Sequence, residues 1–201
     1  RFCESGRLKK VRNLTAGEMV EQILKVEEDI NERITHVVIM GIGEPFDNFD
    51  NFKRFVEIVN YQKGINIGSR HITVSTCGIV PKIKEFSEVD LQINLAISLH
   101  APNDEIRNMI MPINKAYPLE ILIPSLKSYL DKTNRRLTFE YILLKDINDS
   151  IEDAKQLIKL IKGINCYVNL IPMNSTVNEF TRSTEEKMNN FYKTLIQNNI
   201  N

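Results

Sequence analysis

Five apolar runs alternate along the chain with stretches whose apolar residues recur at helical spacing. Each run is short and rich in β-branched residues, which is typical of a buried strand. Strands that alternate regularly with helices predict an α/β fold whose sheet is parallel and whose crossovers are helical. Periodicity does not distinguish a barrel from a flat, doubly wound sheet, so both remain open at this point. The predicted strands cover residues 34–40, 71–76, 91–99, 136–144 and 167–171.

Helix starts between these strands carry recognisable capping signals. Thr15 followed by Glu18 predicts a capping box, and Gly163 predicts the end of a helix. No repeat or low-complexity linker interrupts the alternation, so we expect one domain over residues 1–201. The predicted helices begin near Thr15, within residues 47–50, near Val80, Asp104 and Pro118, within residues 148–150, and at either Ser183 or Thr184.

Polar residues and glycines follow the strands. The carboxyl ends of parallel strands meet at one edge of a sheet, where ligands bind in such folds. Carboxylate, hydroxyl, imidazole and amide groups at one edge could hold a ligand that carries an amino group and a ribose. Each residue alone is also consistent with an ordinary turn or packing role. The candidates are Gly43, Glu44, Ser75, Thr76, Gly78, Ser98, His100, Lys145, Asp146, Asn148 and Asn174.

Charge and cysteine content narrow the functional classes. The 26 basic and 26 acidic side chains cancel, so no overall field attracts the chain to nucleic acid or membrane. The basic segment 7–12 is consistent with a solvated surface or with a local phosphate contact. No apolar run approaches the roughly 20 residues of a membrane span. Three widely spaced cysteines argue against a disulfide framework and predict a reducing, cytoplasmic setting.

Seven motifs occur in order along the chain, at residues 2–6, 12–18, 40–45, 72–81, 96–104, 111–114 and 169–172. Together they make the sequence resemble the RlmN family of radical-SAM RNA methyltransferases, which methylate C2 of adenine in 23S rRNA and in tRNA. The resemblance covers essentially the whole chain. It implies a partial radical-SAM (β/α)6-type barrel with parallel strands and outer helices.

The resemblance also implies cofactors and site residues. The family holds a [4Fe–4S] cluster in a Cys-x-x-x-Cys-x-Phe-Cys motif, of which Cys3 matches the last cysteine, and uses two molecules of S-adenosylmethionine (SAM). The iron left open binds the amino and carboxylate groups of SAM, and a flavodoxin or ferredoxin donates the electron. By resemblance, Gly43 and Glu44 hold the methionine amino group. The rest of the SAM site is lined by Ser75, Ser98, Leu99, His100 and Asn174.

Parts of the family pattern are missing from these 201 residues. The other two cluster cysteines would precede Arg1, as would an N-terminal RNA-binding domain, and the methylated catalytic cysteine would follow Asn201. We therefore expect an excerpt of a longer, monomeric enzyme, inactive by itself and with no catalytic residue of its own. Three alternatives remain: a Cfr-type adenine-C8 methyltransferase, another radical-SAM enzyme such as an activase, and a non-enzymatic RNA-binding α/β module.

Overall fold

The computed structural model describes residues 2–174 and 179–201, in which helices and strands alternate as predicted. Short 3-10 helices occupy Glu4–Arg7, Pro45–Asn48, Ser69–His71 and Pro112–Lys115. The β-strands are β1 (Val37–Ile39), β2 (Ile72–Thr76), β3 (Asn94–Ser98), β4 (Leu137–Leu143) and β5 (Cys166–Pro172). The α-helices are α1 (Ala16–Ile30), α2 (Phe49–Asn60), α3 (Val80–Phe86), α4 (Asp104–Ile110), α5 (Leu119–Thr133), α6 (Ile151–Leu160) and α7 (Glu185–Gln197).

The strand order decides between the two predicted architectures. The five strands are parallel and lie in the order β1-β2-β3-β4-β5, so each strand pairs with the one that precedes it. A doubly wound sheet reverses its strand order at a switch point, and no such reversal occurs among these strands. The prediction of a partial α/β barrel with parallel strands is confirmed.

One face of the sheet packs against the helices. Ile72, Val74, Leu95, Ile97 and Phe139 join buried residues of the helices in the large core. Because side chains alternate across a strand, the intervening residues point to the opposite face. We call this opposite face the inner face. Its strand residues are Val38, Thr73, Ser75, Asn94, Ala96, Ser98, Thr138, Glu140, Ile142, Tyr167, Asn169 and Ile171.

A second, smaller core lies at the carboxyl edge of the sheet. It includes Ile110, Ile142 and Phe180, and the ring of Phe2 packs against it. The residue before Cys3 is therefore anchored at the same edge as the loops that follow the strands.

The prediction that residues 34–40 form a buried strand was wrong in extent and in burial. Strand β1 contains only Val37–Ile39, and Val38 and Met40 are 58% and 42% exposed. Among the described strands β1 pairs with β2 alone, and the described helices cover only one face of the sheet. The apolar composition of residues 34–40 thus predicted burial on both faces, whereas Val38 and Met40 are open to solvent.

The capping predictions are confirmed at three helices and wrong at α4. The expected start at Ser183 or Thr184 is borne out, because Thr184 caps α7 and its hydroxyl accepts the Lys187 N–H at 3.3 Å. Thr15 and Glu18 form the expected capping box, and Ser150 caps α6. The expected cap Asp104 lies inside α4, whose cap is Asn103, with an extended backbone and a side chain that accepts the Ile106 N–H at 3.0 Å. Asp104 is instead free to accept hydrogen bonds from residues beyond its own helix.

Candidate functional site

The loop after β1 brings a carboxylate to the second strand. Gly43 has a φ of +96°, a conformation that favours glycine, and it turns the chain toward Glu44. The Glu44 carboxylate accepts the N–H of Phe46 at 3.0 Å and the N–H of Cys77 at 2.7 Å. It therefore caps the 3-10 helix that begins at Pro45 and also joins the loops that follow β1 and β2.

The two serines predicted for the site lie on the inner face and are half-buried. Ser75 of β2 pairs in register with Ala96 of β3, and Ser98 is the last residue of β3. Asn174, which follows β5, is exposed. Because the strands are parallel, Glu44, Ser75, Ser98 and Asn174 all lie toward the carboxyl edge of the sheet.

Leu99 and His100 lie beneath this edge rather than open on it. Leu99 is fully buried and His100 is 4% exposed. The His100 Nδ1 accepts the Ile142 N–H at 3.1 Å, so the neutral ring carries its proton on Nε2. Burial, with the nearby Arg107 cation, lowers the pKa of His100 to about 3. His100 is thus a neutral hydrogen-bond acceptor that ties β3 to β4.

The residues expected at the edge after β4 have structural partners. Asn148 is fully buried, and its Nδ2 donates at 2.7 Å to the carbonyls of both His100 and Ile142. Its Oδ1 accepts the Leu144 N–H, so the amide is fully used by the protein. Lys145 is exposed. Asp146 pairs with Lys187 of α7 at 2.5 Å, and that hydrogen bond lowers the pKa of Asp146.

Sequence reasoning missed a polar pair beside Ser98. Ser98 pairs in register with Glu140 of β4, and Glu140 pairs with Asn169 of β5. Asn169 Nδ2 donates to the Glu140 carboxylate at 2.7 Å. Glu140 is 6% exposed, and burial raises its pKa while Asn169 opposes that rise. The available signal was the alternation of β4, which puts Glu140 on the face opposite Phe139 and Tyr141.

The three cysteines differ in their suitability as metal ligands. Cys3 is exposed, whereas Cys77 and Cys166 are partly buried. Burial raises the pKa of the Cys166 thiol to about 11, and burial with the nearby Glu44 raises that of Cys77 further. An iron–sulfur cluster binds thiolates, and the exposed Cys3 is accessible to one, whereas burial of the other two favours their neutral thiols. The described part of the chain holds no group of three or more His, Cys, Asp or Glu residues that could bind a metal ion.

A membrane-spanning helix is not found among the described residues, since none of their helices is both long and apolar enough. The sheet is parallel and its strands lie in sequential order. Polar residues gather at its carboxyl edge, and the exposed Cys3 lies beside them. These features agree with the class of protein that the sequence comparison identifies. The sequence profile described as the radical SAM superfamily matches residues 1–161. The chain belongs to the radical SAM superfamily.

Within that superfamily, close relatives confirm the resemblance to the RlmN family. The chain is 58% identical over 203 residues to a probable dual-specificity RNA methyltransferase RlmN of Spiroplasma citri, and 55% identical over 201 residues to one of Acholeplasma laidlawii. These alignments cover 100% and 99% of the chain but 59% of each relative. The chain therefore spans about three fifths of the length of these relatives.

A solved structure supports the same assignment. The crystal structure of a radical SAM methyltransferase from Sphaerobacter thermophilus matches with a TM-score of 0.95 at 42% identity. The match covers 99% of this chain and 60% of that chain. The sheet order and the helical layer described above are thus those of a radical SAM enzyme.

Proposed function

We propose that this chain is the SAM-binding core of an RNA methyltransferase that methylates C2 of adenine in 23S rRNA and in tRNA. The proposed reaction uses two molecules of SAM and a [4Fe–4S] cluster. One observation carries the proposal: Glu44, Ser75 and Ser98 share the carboxyl edge of a radical-SAM sheet in a chain 58% identical to a protein named as an RNA methyltransferase.

The residues at the edge fit the polar groups of SAM. The Glu44 carboxylate accepts two backbone N–H groups and keeps lone pairs for an ammonium group, because two carboxylate oxygens offer about four acceptor sites. The hydroxyl groups of Ser75 and Ser98 are half-buried on the inner face, where they can donate and accept hydrogen bonds. Gly43 allows close approach of a ligand because its backbone carries no side chain.

Cys3 is the residue of this chain that would hold the cluster. Its thiol is exposed, and Phe2 fixes the adjoining backbone at the carboxyl edge. When bound, the cluster supplies the electron that cleaves SAM reductively. The protein residues bind and orient SAM, and the apolar second core shields one side of the edge from water.

Other features of the whole protein are part of the same proposal. Residues 1–201 would form the radical-SAM core of a longer, monomeric, cytoplasmic enzyme. The remaining cluster cysteines, an RNA-binding domain and the methylated catalytic cysteine would lie elsewhere in that enzyme. A flavodoxin or ferredoxin would supply the electrons. The fraction of the relatives that this chain spans, 59%, leaves room for these parts.

The test is made with the intact enzyme, purified and reconstituted with iron and sulfide without oxygen. It is incubated with SAM, a reductant and transcripts of 23S rRNA or tRNA, and the nucleosides are identified by mass spectrometry. We expect 2-methyladenosine. Formation of 8-methyladenosine instead would favour the C8 alternative, and methyl-free RNA with a colourless protein would favour an RNA-binding module.

A further inference from the structure

Arg107 of α4 is a buried cation that the proposed chemistry does not use. Its residue surface is 0% exposed, and it is the largest side chain among the fully buried residues described. Removing a guanidinium from water costs several kcal/mol unless its N–H groups find partners. The partners of Arg107 therefore show what its burial accomplishes.

Backbone carbonyls at the ends of two neighbouring strands accept most of the Arg107 hydrogen bonds. Nη2 donates to the carbonyls of Cys77, at 2.8 Å, and Ser98, at 3.4 Å. Nε donates to the carbonyl of Leu99 at 3.2 Å. Cys77 follows β2, Ser98 ends β3 and Leu99 follows it, so one planar group spans the two strand ends.

The remaining donors tie Arg107 to the segment after α4. Nη1 donates to Asn114 Oδ1 at 2.7 Å and to the Tyr117 carbonyl at 3.4 Å. Asn114 in turn donates to Asp104 Oδ1 at 2.8 Å, so the carboxylate acts on the cation through an amide. Burial lowers the pKa of Arg107 to about 10, which leaves it charged at neutral pH. Carbonyl dipoles replace water around the charge.

The ends of β2 and β3 also make hydrogen bonds to residues of the proposed ligand-binding edge. Cys77 accepts a hydrogen bond from Arg107 with its carbonyl and donates its N–H to Glu44. The N–H groups of Leu99 and His100 both donate to the Glu140 carbonyl. The guanidinium is therefore linked to Glu44 through one residue, Cys77, and to Ser98 directly at its carbonyl.

Gly78 shows how closely this region is packed. A Cβ at this position would lie 3.1 Å from a methyl carbon of Leu122 and 3.5 Å from Arg107 Nη2. Its φ of +101° also favours glycine. Both the space and the backbone conformation next to the guanidinium thus depend on the absence of a side chain.

We propose that Arg107 is a positioning residue of the SAM site, which fixes the separation between the ends of β2 and β3. It acts beneath the site and does not touch the ligand. The identity of the ligand rests on the proposed function, whereas the action of Arg107 on the two strand ends does not. Lysine cannot replace it fully, because an ammonium offers three donors in place of a planar fork of five.

The first readout needs no SAM. Hydrogen–deuterium exchange is measured at the amides of Cys77, Leu99 and His100 in the intact, reconstituted wild type and in Arg107→Lys. We expect exchange at least tenfold faster in the variant at these amides. A matched control, Leu157→Ala in α6, opens a cavity in the large core without removing any hydrogen bond of Arg107, and it should leave the relative protection of these three amides unchanged.

The second readout is the dissociation constant for SAM in the same proteins. We expect SAM to bind at least tenfold more weakly to Arg107→Lys and within twofold of wild type to Leu157→Ala, even where the control loses as much thermal stability. If Arg107→Lys fails to fold, Asn114→Ala is tested instead, because it removes one acceptor of the guanidinium. We then expect SAM to bind about threefold more weakly than to the wild type.

Wild-type exchange and wild-type SAM affinity in Arg107→Lys would overturn the proposal, as would equal weakening in Leu157→Ala. If Arg107→Lys does not fold, wild-type SAM affinity in Asn114→Ala would overturn it too. A wild-type enzyme that does not bind SAM would instead refute the proposed function. In that case the exchange experiment would still decide whether Arg107 holds the two strand ends.

Discussion

The carboxylate of Glu44 accepts the backbone N–H of Cys77 at 2.7 Å and so joins the loop after β1 to the end of β2. The sequence suggests a carboxylate at the rim with little structural role. The structure shows that the group proposed to bind the SAM ammonium also organises the edge. Because two N–H donors hold it in place before any ligand arrives, little reorganisation is needed on binding.

Replacement of Glu44 by glutamine should therefore affect both binding and stability. Glutamine keeps one acceptor oxygen, so either the Phe46 or the Cys77 N–H loses its partner, and the charge that attracts an ammonium is removed. We expect SAM affinity to fall roughly 10- to 100-fold, since a hydrogen bond to a charged group contributes about 1.5–3 kcal/mol. The free energy of unfolding should fall by about 1–2 kcal/mol.

SAM titration and urea unfolding of the intact enzyme measure the two effects of Glu44→Gln. Asp47→Asn is the matched control, because it removes a charge from the same 3-10 helix where the side chain is exposed. The control should change either quantity by less than about 0.5 kcal/mol. Equal SAM affinity in wild type and Glu44→Gln would return Glu44 to a purely structural role.

Two glycines of the same loop should respond differently to alanine. A Cβ would meet no atom within 4 Å at either Gly41 or Gly43, but Gly43 has a φ of +96°. Gly43→Ala should lower the free energy of unfolding by about 1 kcal/mol, because an L side chain rarely adopts that conformation. Gly41→Ala should be neutral or slightly stabilising. Urea unfolding compares the two, and equal losses would show that the positive φ of Gly43 does not set the cost of the substitution.

Acid should destabilise the protein in part through His100. Its folded-state pKa of about 3 lies below the unfolded value of about 6.5. The unfolded chain therefore binds the proton first, so the stability that depends on neutral His100 is complete above pH 6.5 and is lost as the pH falls toward 3. His100→Gln should flatten the dependence of unfolding free energy on pH in this range, at some loss of stability at pH 7.

Urea unfolding at a series of pH values tests the His100 prediction. His36→Gln, at an exposed position, serves as the control and should keep the slope of the wild type. A wild-type slope in His100→Gln would mean that other groups cause the loss of stability in acid.

Glu140 should lower the stability of the protein at high pH, whereas His100 lowers it in acid. Burial raises its folded-state pKa above the unfolded value, so the folded protein loses stability as the pH rises through that raised pKa. Glu140→Gln removes this loss and keeps an oxygen that can accept from Asn169. We expect the variant to be more stable than wild type at pH 7–8 and the difference to shrink toward pH 4.

Thermal unfolding across this pH range measures the effect of Glu140→Gln. Asn169→Ala provides the complementary change, because it removes the donor that stabilises the carboxylate and should lower stability at pH 7. A Glu140→Gln variant less stable than wild type at pH 8 would show that the charge itself stabilises the inner face.

The predictions that succeeded rest on local signals, and the failures rest on distant ones. The Thr15 capping box is encoded within four residues, and the spacing of apolar residues within each segment indicates whether it is a helix or a strand. Arg107 reads as a polar residue of an amphipathic helix, yet its partner Cys77 lies 30 positions away. The pairing of Ser98 with Glu140 depends on strand register, which no single segment specifies. The exposure of Val38 likewise follows from the place of β1 in the sheet.

The sequential strand order has a consequence for how the protein is made. Each strand pairs with its immediate predecessor, so the sheet can grow one strand at a time as the polypeptide leaves the ribosome. The contact between Glu44 and Cys77 becomes available once β2 has docked, whereas Arg107 is synthesised only after both strands that it joins. The ends of β2 and β3 are therefore synthesised before Arg107, the cation that joins them.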